Sequence, residues 1–252
     1  MRLGKKKQQG LPENAFPPQE GNDSGSQEIR DVTTNKENVS PSRLGICLEG
    51  IPYMGMATLV TLVFALLGWK VLSVLALGLT LGIVHFFRDP ERVVPAEKDV
   101  AISPADGKVL DVQSRTDPVS KQQCPRISIF MNVFDVHVNR TPISGRVRNI
   151  AYHEGNFHRA SLGQAEKSNE RNIIVIEDDD GHNWSMVQIA GLIARRIVCW
   201  TAIGDEIKRG QRIGLIKFGS RVDLYMPEGY EIKVRPGDRV YAGQSILARK
   251  KE

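Results

Sequence analysis

The distribution of apolar and polar positions divides the 252-residue chain into three parts. Residues 1–45 carry no apolar period and are rich in Gly, Pro, Asn, Gln, Ser and charge. Too little apolar surface is available there to offset the entropy of ordering, so this part reads as a disordered tail. Its basic start, Arg2-Leu3-Gly4-Lys5-Lys6-Lys7, suits an anionic lipid surface or plain solvation equally. Residues 46–87 reverse the pattern. Ile51 to Trp69 is apolar apart from small hydroxyl-bearing residues, Val71 to Phe87 is apolar until His85, and only Lys70 carries a full charge. One spanning helix needs about 20 apolar residues, so the block is too long for one span and just long enough for two short ones. Gly68-Trp69-Lys70 is the expected turn, with Trp and Lys as interfacial anchors. The hairpin would span the membrane or lie shallowly in one leaflet; two buried core helices are the soluble alternative. The block begins too far from Met1 for a cleaved secretory signal.

From Arg88 onward the pattern changes again. Short runs such as Lys108–Val112, Arg126–Phe130, Asn172–Ile176 and Arg196–Trp200 alternate or cluster apolar residues between Gly, Pro and Asp turns, as strands do. Residues 88–252 are therefore expected to form one mainly-β (α+β) domain, with His158 to Glu170 its helical piece. An internal repeat organises its C-terminal part. Gly204-Asp205-Glu206-Ile207-Lys208-Arg209-Gly210-Gln211-Arg212-Ile213 returns 33 residues later (237 minus 204) as Gly237-Asp238-Arg239-Val240-Tyr241-Ala242-Gly243-Gln244-Ser245-Ile246. Each copy reads as a turn feeding a strand. The pair resembles the two halves of a biotinyl- or lipoyl-carrier barrel, whose modified lysine sits at a hairpin tip between the halves. In this chain that slot falls at Gly219-Ser220, with Lys217 close by.

Charge and cysteines add little. The net charge of +5 is mild for this length and gives no case for nucleic acid; it fits an anionic surface or a phosphate-bearing substrate. Cys47, Cys124 and Cys199 are odd in number and far apart. They support neither a disulfide framework nor a zinc site, and they fit a reducing compartment. His153-Glu154-Gly155-Asn156-Phe157-His158 lacks the helical H-E-x-x-H spacing, and Asp178-Asp179-Asp180-Gly181 lacks the later ligands of a calcium loop. No metal is expected.

Four motifs occur in order: Phe86-Phe87-Arg88-Asp89-Pro90, Ser103-Pro104-Ala105-Asp106-Gly107, Asn132-Val133-Phe134-Asp135-Val136-His137-Val138-Asn139-Arg140, and Phe218-Gly219-Ser220-Arg221. Together they resemble the phosphatidylserine decarboxylases of the short bacterial and archaeal type, over about residues 85–252. The resemblance implies that the proenzyme cleaves itself between Gly219 and Ser220. A beta chain (1–219) and an alpha chain (220–252) would form and stay together as a heterodimer. Ser220 would become a pyruvoyl group, the only cofactor, and form a Schiff base with the amine of a serine phospholipid. Loss of carbon dioxide would then give phosphatidylethanolamine. An ether-linked archaetidylserine would present the same head group, and a non-enzymatic, membrane-anchored carrier-like barrel is the alternative of another class.

The resemblance also points to His137 as the base, with Asp106 to orient or charge it. Longer relatives carry a second histidine three residues on; here Arg140 stands in its place. Arginines near the motifs would hold phosphate or carboxylate through paired N–H donors. Arg140, Arg171, Arg196 and Arg221 are the leading candidates, with Arg88 and Arg195 beside them. The expected location is the cytoplasmic face of the cell membrane, with attachment peripheral or through the hairpin.

Overall fold

The computed structural model describes residues 45–155, 169–191, 196–217 and 220–251. The tail expected to be disordered lies outside them except for Gly45, as does most of the helical piece expected over His158–Glu170.

The apolar block forms two helices, α1 (Ile51–Leu66) and α2 (Lys70–Phe86), joined at Gly68-Trp69. Pro52 falls in the first turn of α1, where its missing N–H costs no helical hydrogen bond. The helices lie side by side, with Thr61 Oγ1 and Thr80 Oγ1 3.0 Å apart. α1 buries no residue and α2 buries only Thr80 and Phe86. The soluble alternative of two core helices is thereby overturned, because among the described residues nothing covers most of their side chains beyond the hairpin's root. So large an exposed apolar surface marks an interaction with lipid or protein. The stretch Leu48–Leu66 is by length and composition sufficient to cross a membrane.

The rest is mainly β. In chain order the strands are β1 (Val100–Ile102), β2 (Gly107–Thr116), β3 (Gln123–Met131), β4 (Val138–Arg140), β5 (Gly145–His153), β6 (Arg171–Glu177) and β7 (Asn183–Ala190). There follow β8 (Ile197–Cys199), β9 (Glu206–Ile207), β10 (Arg212–Ile216), β11 (Ser220–Tyr225), β12 (Tyr230–Ile232), β13 (Arg239–Val240) and β14 (Ile246–Lys250). An eight-stranded sheet runs β13-β2-β3-β11-β7-β6-β5-β9, flanked by the three-stranded sheets β1-β14-β12 and β4-β10-β8. All pairings are antiparallel.

The 33-residue repeat is realised in three dimensions, together with a second one. Ser103-Pro104-Ala105-Asp106-Gly107-Lys108-Val109 returns 38 residues later (141 minus 103) as Thr141-Pro142-Ile143-Ser144-Gly145-Arg146-Val147. The copies are used alike. Val109 exchanges backbone hydrogen bonds with Gly237 and Asp238, and Val147 does the same with Gly204 and Asp205. β13 then pairs with β2 as β9 pairs with β5, and β14 pairs with β1 as β10 pairs with β4. Gly107 and Gly145 mark the tight points: a Cβ there would strike the carbonyl oxygens of Phe130 and Glu177. The domain is thus built from two similar halves closed over one core, which includes Ile127, Ile129, Ile174, Trp184, Met186, Val222, Leu224 and Leu247.

Candidate active site

Ser220 opens β11 in the middle of the large sheet, opposite Met131 of β3 and Ala190 of β7. The preceding strand, β10, belongs to a different sheet and pairs with β4 and β8. The expected hairpin tip is therefore corrected: the chain crosses here from one sheet into another, and Ser220 is fully buried rather than presented to solvent. Because alternate strand residues face opposite sides, Ser220, Val222 and Leu224 point into the core. The Ser220 hydroxyl is buried and has no hydrogen-bond partner among the described residues. Buried hydroxyls are nearly always bonded, so an orphan of this kind calls for a reason. Gly219 lies outside the described residues.

His137 immediately precedes β4, and its carbonyl accepts the Ile216 N–H at the end of β10 (3.4 Å). Ile216 stands only four residues before Ser220. The ring is fully buried, with Nδ1 2.9 Å from the Asp135 carbonyl oxygen. A carbonyl only accepts, so Nδ1 carries the proton and Nε2 is the basic nitrogen. Burial, and secondarily the Arg88 charge, push the imidazole down to about 4 against the pull of the Asp135 carbonyl. It is neutral at physiological pH.

The helical hairpin roots beside this histidine. Phe86, at the end of α2, lies 4.2 Å from the His137 ring, centroid to centroid. Phe87 packs edge-on against Phe86 and stacks on Tyr53 of α1. Lys217 is buried between barrel and hairpin, its Nζ 5.0 Å from the Tyr53 ring centre and 3.7 Å from Glu49 Oε2. Arg88 donates to the carbonyls of His85 (2.7 Å) and Phe134 (2.6 Å).

Asp106 makes no hydrogen bond to His137. Its Oδ1 accepts the Ala242 N–H (2.7 Å) and its Oδ2 pairs with Arg92 (2.9 Å). In the other half of the domain Ser144, the counterpart of Asp106, accepts the N–H of Arg209, the counterpart of Ala242 (2.9 Å). The geometry gives Asp106 a loop-bracing position shared by both halves, and burial raises its pKa.

The arginines separate by face. Arg221 neighbours Ser220 in the same strand and so points to the opposite side of the sheet. There it holds Asp223 through two bonds of 2.6 Å and is almost fully buried. Arg171 lies across from Ile189, which lies across from Arg221, placing it on that same far face. Arg140 clamps the segment after α2, reaching Pro90 O (3.1 Å), Gly210 O (3.0 Å) and Asp89 (3.5 Å). Arg196 is exposed, and its carbonyl accepts the Lys217 N–H (3.3 Å). Of the four leading candidates, Arg196 alone is exposed, and its backbone is bonded to Lys217, three residues before Ser220. Arg195 and His158 lie outside the described residues.

Several polar groups on the Ser220 side of the sheet escape sequence reasoning. Asn172 Nδ2 donates to Gln188 Oε1 (2.9 Å), Gln188 Nε2 donates to Asn139 Oδ1 (2.8 Å), and Asn139 Nδ2 meets the sulfur of Met131 (3.7 Å), the residue opposite Ser220. All three amides are fully buried. Tyr152 donates its hydroxyl to Glu170, whose own carbonyl accepts the Ala190 N–H (2.9 Å); burial raises the pKa of the Glu170 carboxyl. A scan for lone apolar-flanked amides in strands finds Gln188 and Asn172, but only the sheet register shows them to be neighbours. Replacing Gln188 with Ala strands both asparagines. The expected cost is about 2–4 kcal/mol, from leaving buried amides unpaired, read as a lower denaturant midpoint with an unchanged slope.

Asp178, Asp180 and His182 bring potential ligand atoms within 4.8 Å of one another. They are better explained as a capped turn: Asp178 accepts the N–H groups of Asp180 and His182 and the indole of Trp184, and Asp180 pairs with Lys250.

The family model described as phosphatidylserine decarboxylase matches residues 79–248, spanning every element from the end of α2 to β14. The chain is 54% identical over 207 residues to the phosphatidylserine decarboxylase proenzyme of Nitratidesulfovibrio vulgaris, covering 82% of this chain and 95% of that one. The proenzyme of Oleidesulfovibrio alaskensis is 53% identical, with 81% and 94% covered, and that of Ruegeria pomeroyi 47% identical, with 79% and 93% covered. A match of this length and identity, over a fold that buries an unpartnered serine at a sheet crossing, means that the chain belongs to the phosphatidylserine decarboxylase family.

Proposed function

We propose that this protein is a self-processing, membrane-associated decarboxylase that converts phosphatidylserine to phosphatidylethanolamine. The buried Ser220 hydroxyl, without a partner among the described residues, is the observation that carries the reading, in a chain of this family. In the proposed maturation, Ser220 Oγ attacks the Gly219 carbonyl carbon. The Gly219–Ser220 amide breaks, leaving an ester and a free amine. Elimination across the Ser220 Cα–Cβ bond releases the Gly219 carboxylate, and one water then replaces the nitrogen, which leaves as ammonia, to give a pyruvoyl end. The position of Ser220 fits that group: a pyruvoyl end is small and neutral, and the residue it would replace is fully buried, with the amides of Asn139, Gln188 and Asn172 on the same side of the sheet. A pyruvoyl carbonyl supplies an electrophile for a primary amine and an electron sink for decarboxylation.

His137 is proposed as the group that takes the serine proton, through Nε2, since it is neutral and its backbone is bonded to Ile216, four residues before Ser220. Phe86 keeps water from its ring. Arg196 is the proposed contact for an anionic group of the lipid, while Arg140, Arg171 and Arg221 serve the fold. Asp106 is proposed to brace the Ala242 loop. Residues 46–87 are proposed as the membrane-associating segment and 88–252 as the catalytic domain, divided after 219 into beta and alpha chains. The hairpin returns the chain to the side it left, so the domain would sit on one face of the membrane, proposed to be the cytoplasmic one.

Incubating the purified full chain with phosphatidylserine vesicles, while following lipid and chain masses together, tests this reading. The expected result is ethanolamine lipid formed only by protein split before Ser220. Split protein that leaves the lipid unchanged would overturn it. A parallel arm with an ether-linked serine lipid is expected to react comparably, because the tail lies far from the bond that breaks.

A further inference from the structure

The turn Asn132–Asp135, between β3 and His137, is closed by its own hydrogen bonds. Asp135 N–H donates to Asn132 O (3.0 Å), Asn132 N–H to Asp135 Oδ2 (2.8 Å), and Phe134 N–H to Asn132 Oδ1 (2.8 Å). Arg239 pairs with the second Asp135 oxygen. A turn so fully bonded holds its side chains in fixed directions. Turns normally give such positions to Gly, Asn, Asp or Ser. Here they carry Val133 and Phe134, and Phe134 is 72% exposed. Holding an aromatic ring in water gains the folded chain nothing, and its burial elsewhere would.

The surroundings identify what buries it. Arg88 binds the last turn of α2 with one nitrogen and the Phe134 carbonyl with another, so the turn is continuous with the root of the exposed hairpin. Arg88 and the half-exposed Arg239, the latter paired with the buried Asp135, stand beside the two apolar side chains, two cations to one anion. An apolar tip inside a basic collar complements an anionic bilayer interface. We propose that Val133 and Phe134 form a second membrane-docking element, inserting into the leaflet that the hairpin enters. The partner is the bilayer surface itself. This rests on the hairpin being the membrane segment. Its consequence is positional: the Asp135 carbonyl that holds His137 Nδ1 belongs to the docking turn, so docking fixes the height of the histidine relative to the lipid head groups.

Environment-sensitive fluorophores on single introduced cysteines test this in the full chain. Phe134→Cys probes the turn and Leu75→Cys the hairpin. Glu228→Cys probes the exposed turn after β11, at the far end of the strand that Ser220 begins. Each variant also carries Cys124→Ser; Cys47 and Cys199 are buried and their pKa values are raised, so they label poorly. Vesicles of phosphatidylcholine and phosphatidylglycerol, with nitroxide-labelled acyl chains, supply the membrane without substrate. Blue-shifted and quenched emission is expected at positions 134 and 75, with 228 unchanged. Quenching at 75 without quenching at 134 overturns the docking turn, as does equal quenching at 134 and 228. No quenching at 75 overturns the hairpin reading and this one with it. Lipid turnover by unlabelled protein is scored separately, so loss of the decarboxylase reading is told apart from loss of docking.

Discussion

Ser220→Ala is expected to leave a single uncleaved chain of 28.0 kDa and to reduce decarboxylation to the uncatalysed background. The substitution removes one oxygen from a fully buried position and breaks no hydrogen bond to the described residues, since that oxygen has none among them. The fold is therefore retained, and loss of a buried unsatisfied group favours it slightly. What disappears is the nucleophile proposed to attack the preceding carbonyl, and with it the proposed prosthetic group. Intact-mass measurement checks the first half. Wild-type protein should give residues 1–219 and a 33-residue fragment with a blocked start (252 minus 219). That fragment would carry β11 to β14, and β11 is hydrogen-bonded along six residues to β3 on one side and to β7 on the other. The two pieces should therefore copurify until the protein is denatured. A Ser220→Ala chain that still makes ethanolamine lipid would show the pyruvoyl mechanism to be wrong.

His137→Gln is expected to slow self-cleavage by about 10²- to 10⁴-fold, the usual worth of a positioned general base. The pH profile carries the sharper test. The neutral imidazole is the active form, and its pKa in the folded chain is about 4 because burial disfavours the charge. Cleavage should thus hold steady as pH falls through 6.5, where an ordinary histidine is lost to protonation, and decline only near pH 4. Stability follows the same sign. Between pH 6.5 and 4 the unfolded chain binds a proton here that the folded chain does not. The stability is complete above about 6.5 and is lost as pH falls toward 4, by up to about 3 kcal/mol. Cleavage time courses and denaturant midpoints across that range check both statements. A cleavage profile breaking at 6.5 would remove His137 from the role of base.

The two halves of the chain differed in how much of them could be read. Ile51–Phe87 was legible as a hairpin, because a long nearly uncharged run has few alternatives and Gly68-Trp69-Lys70 breaks it in the middle. The strand runs and the 33-residue repeat were legible for the same local reason. The repeat at Ser103 and Thr141 was harder, since only Ser/Thr-Pro-x-x-Gly-Lys/Arg-Val survives in both copies. Ser220 could be singled out from its motif, but its environment could not. A carrier-barrel comparison places it at an exposed hairpin tip, whereas β10 and β11 enter different sheets and bury it. Asp106 and His137 lie in neighbouring motifs, yet their bonds go elsewhere: the carboxylate to Ala242 and Arg92, the imidazole to the Asp135 carbonyl.

By itself the sequence determined what is local: apolar runs, turn residues, a period of two in the strands, and the Gly-Ser chemistry of a dipeptide. That Arg221 faces away from Ser220 became legible only once the structure put both in one strand, where neighbours always point to opposite sides. The tertiary structure decided what depends on partners distant along the chain. It set Phe86 against His137, lined up Asn172, Gln188 and Asn139 behind Met131, and left the Ser220 hydroxyl buried without a partner among the described residues. Burial, and the hydrogen bonds that satisfy or fail to satisfy a buried group, are properties of which strands meet, and no local stretch of residues contains them.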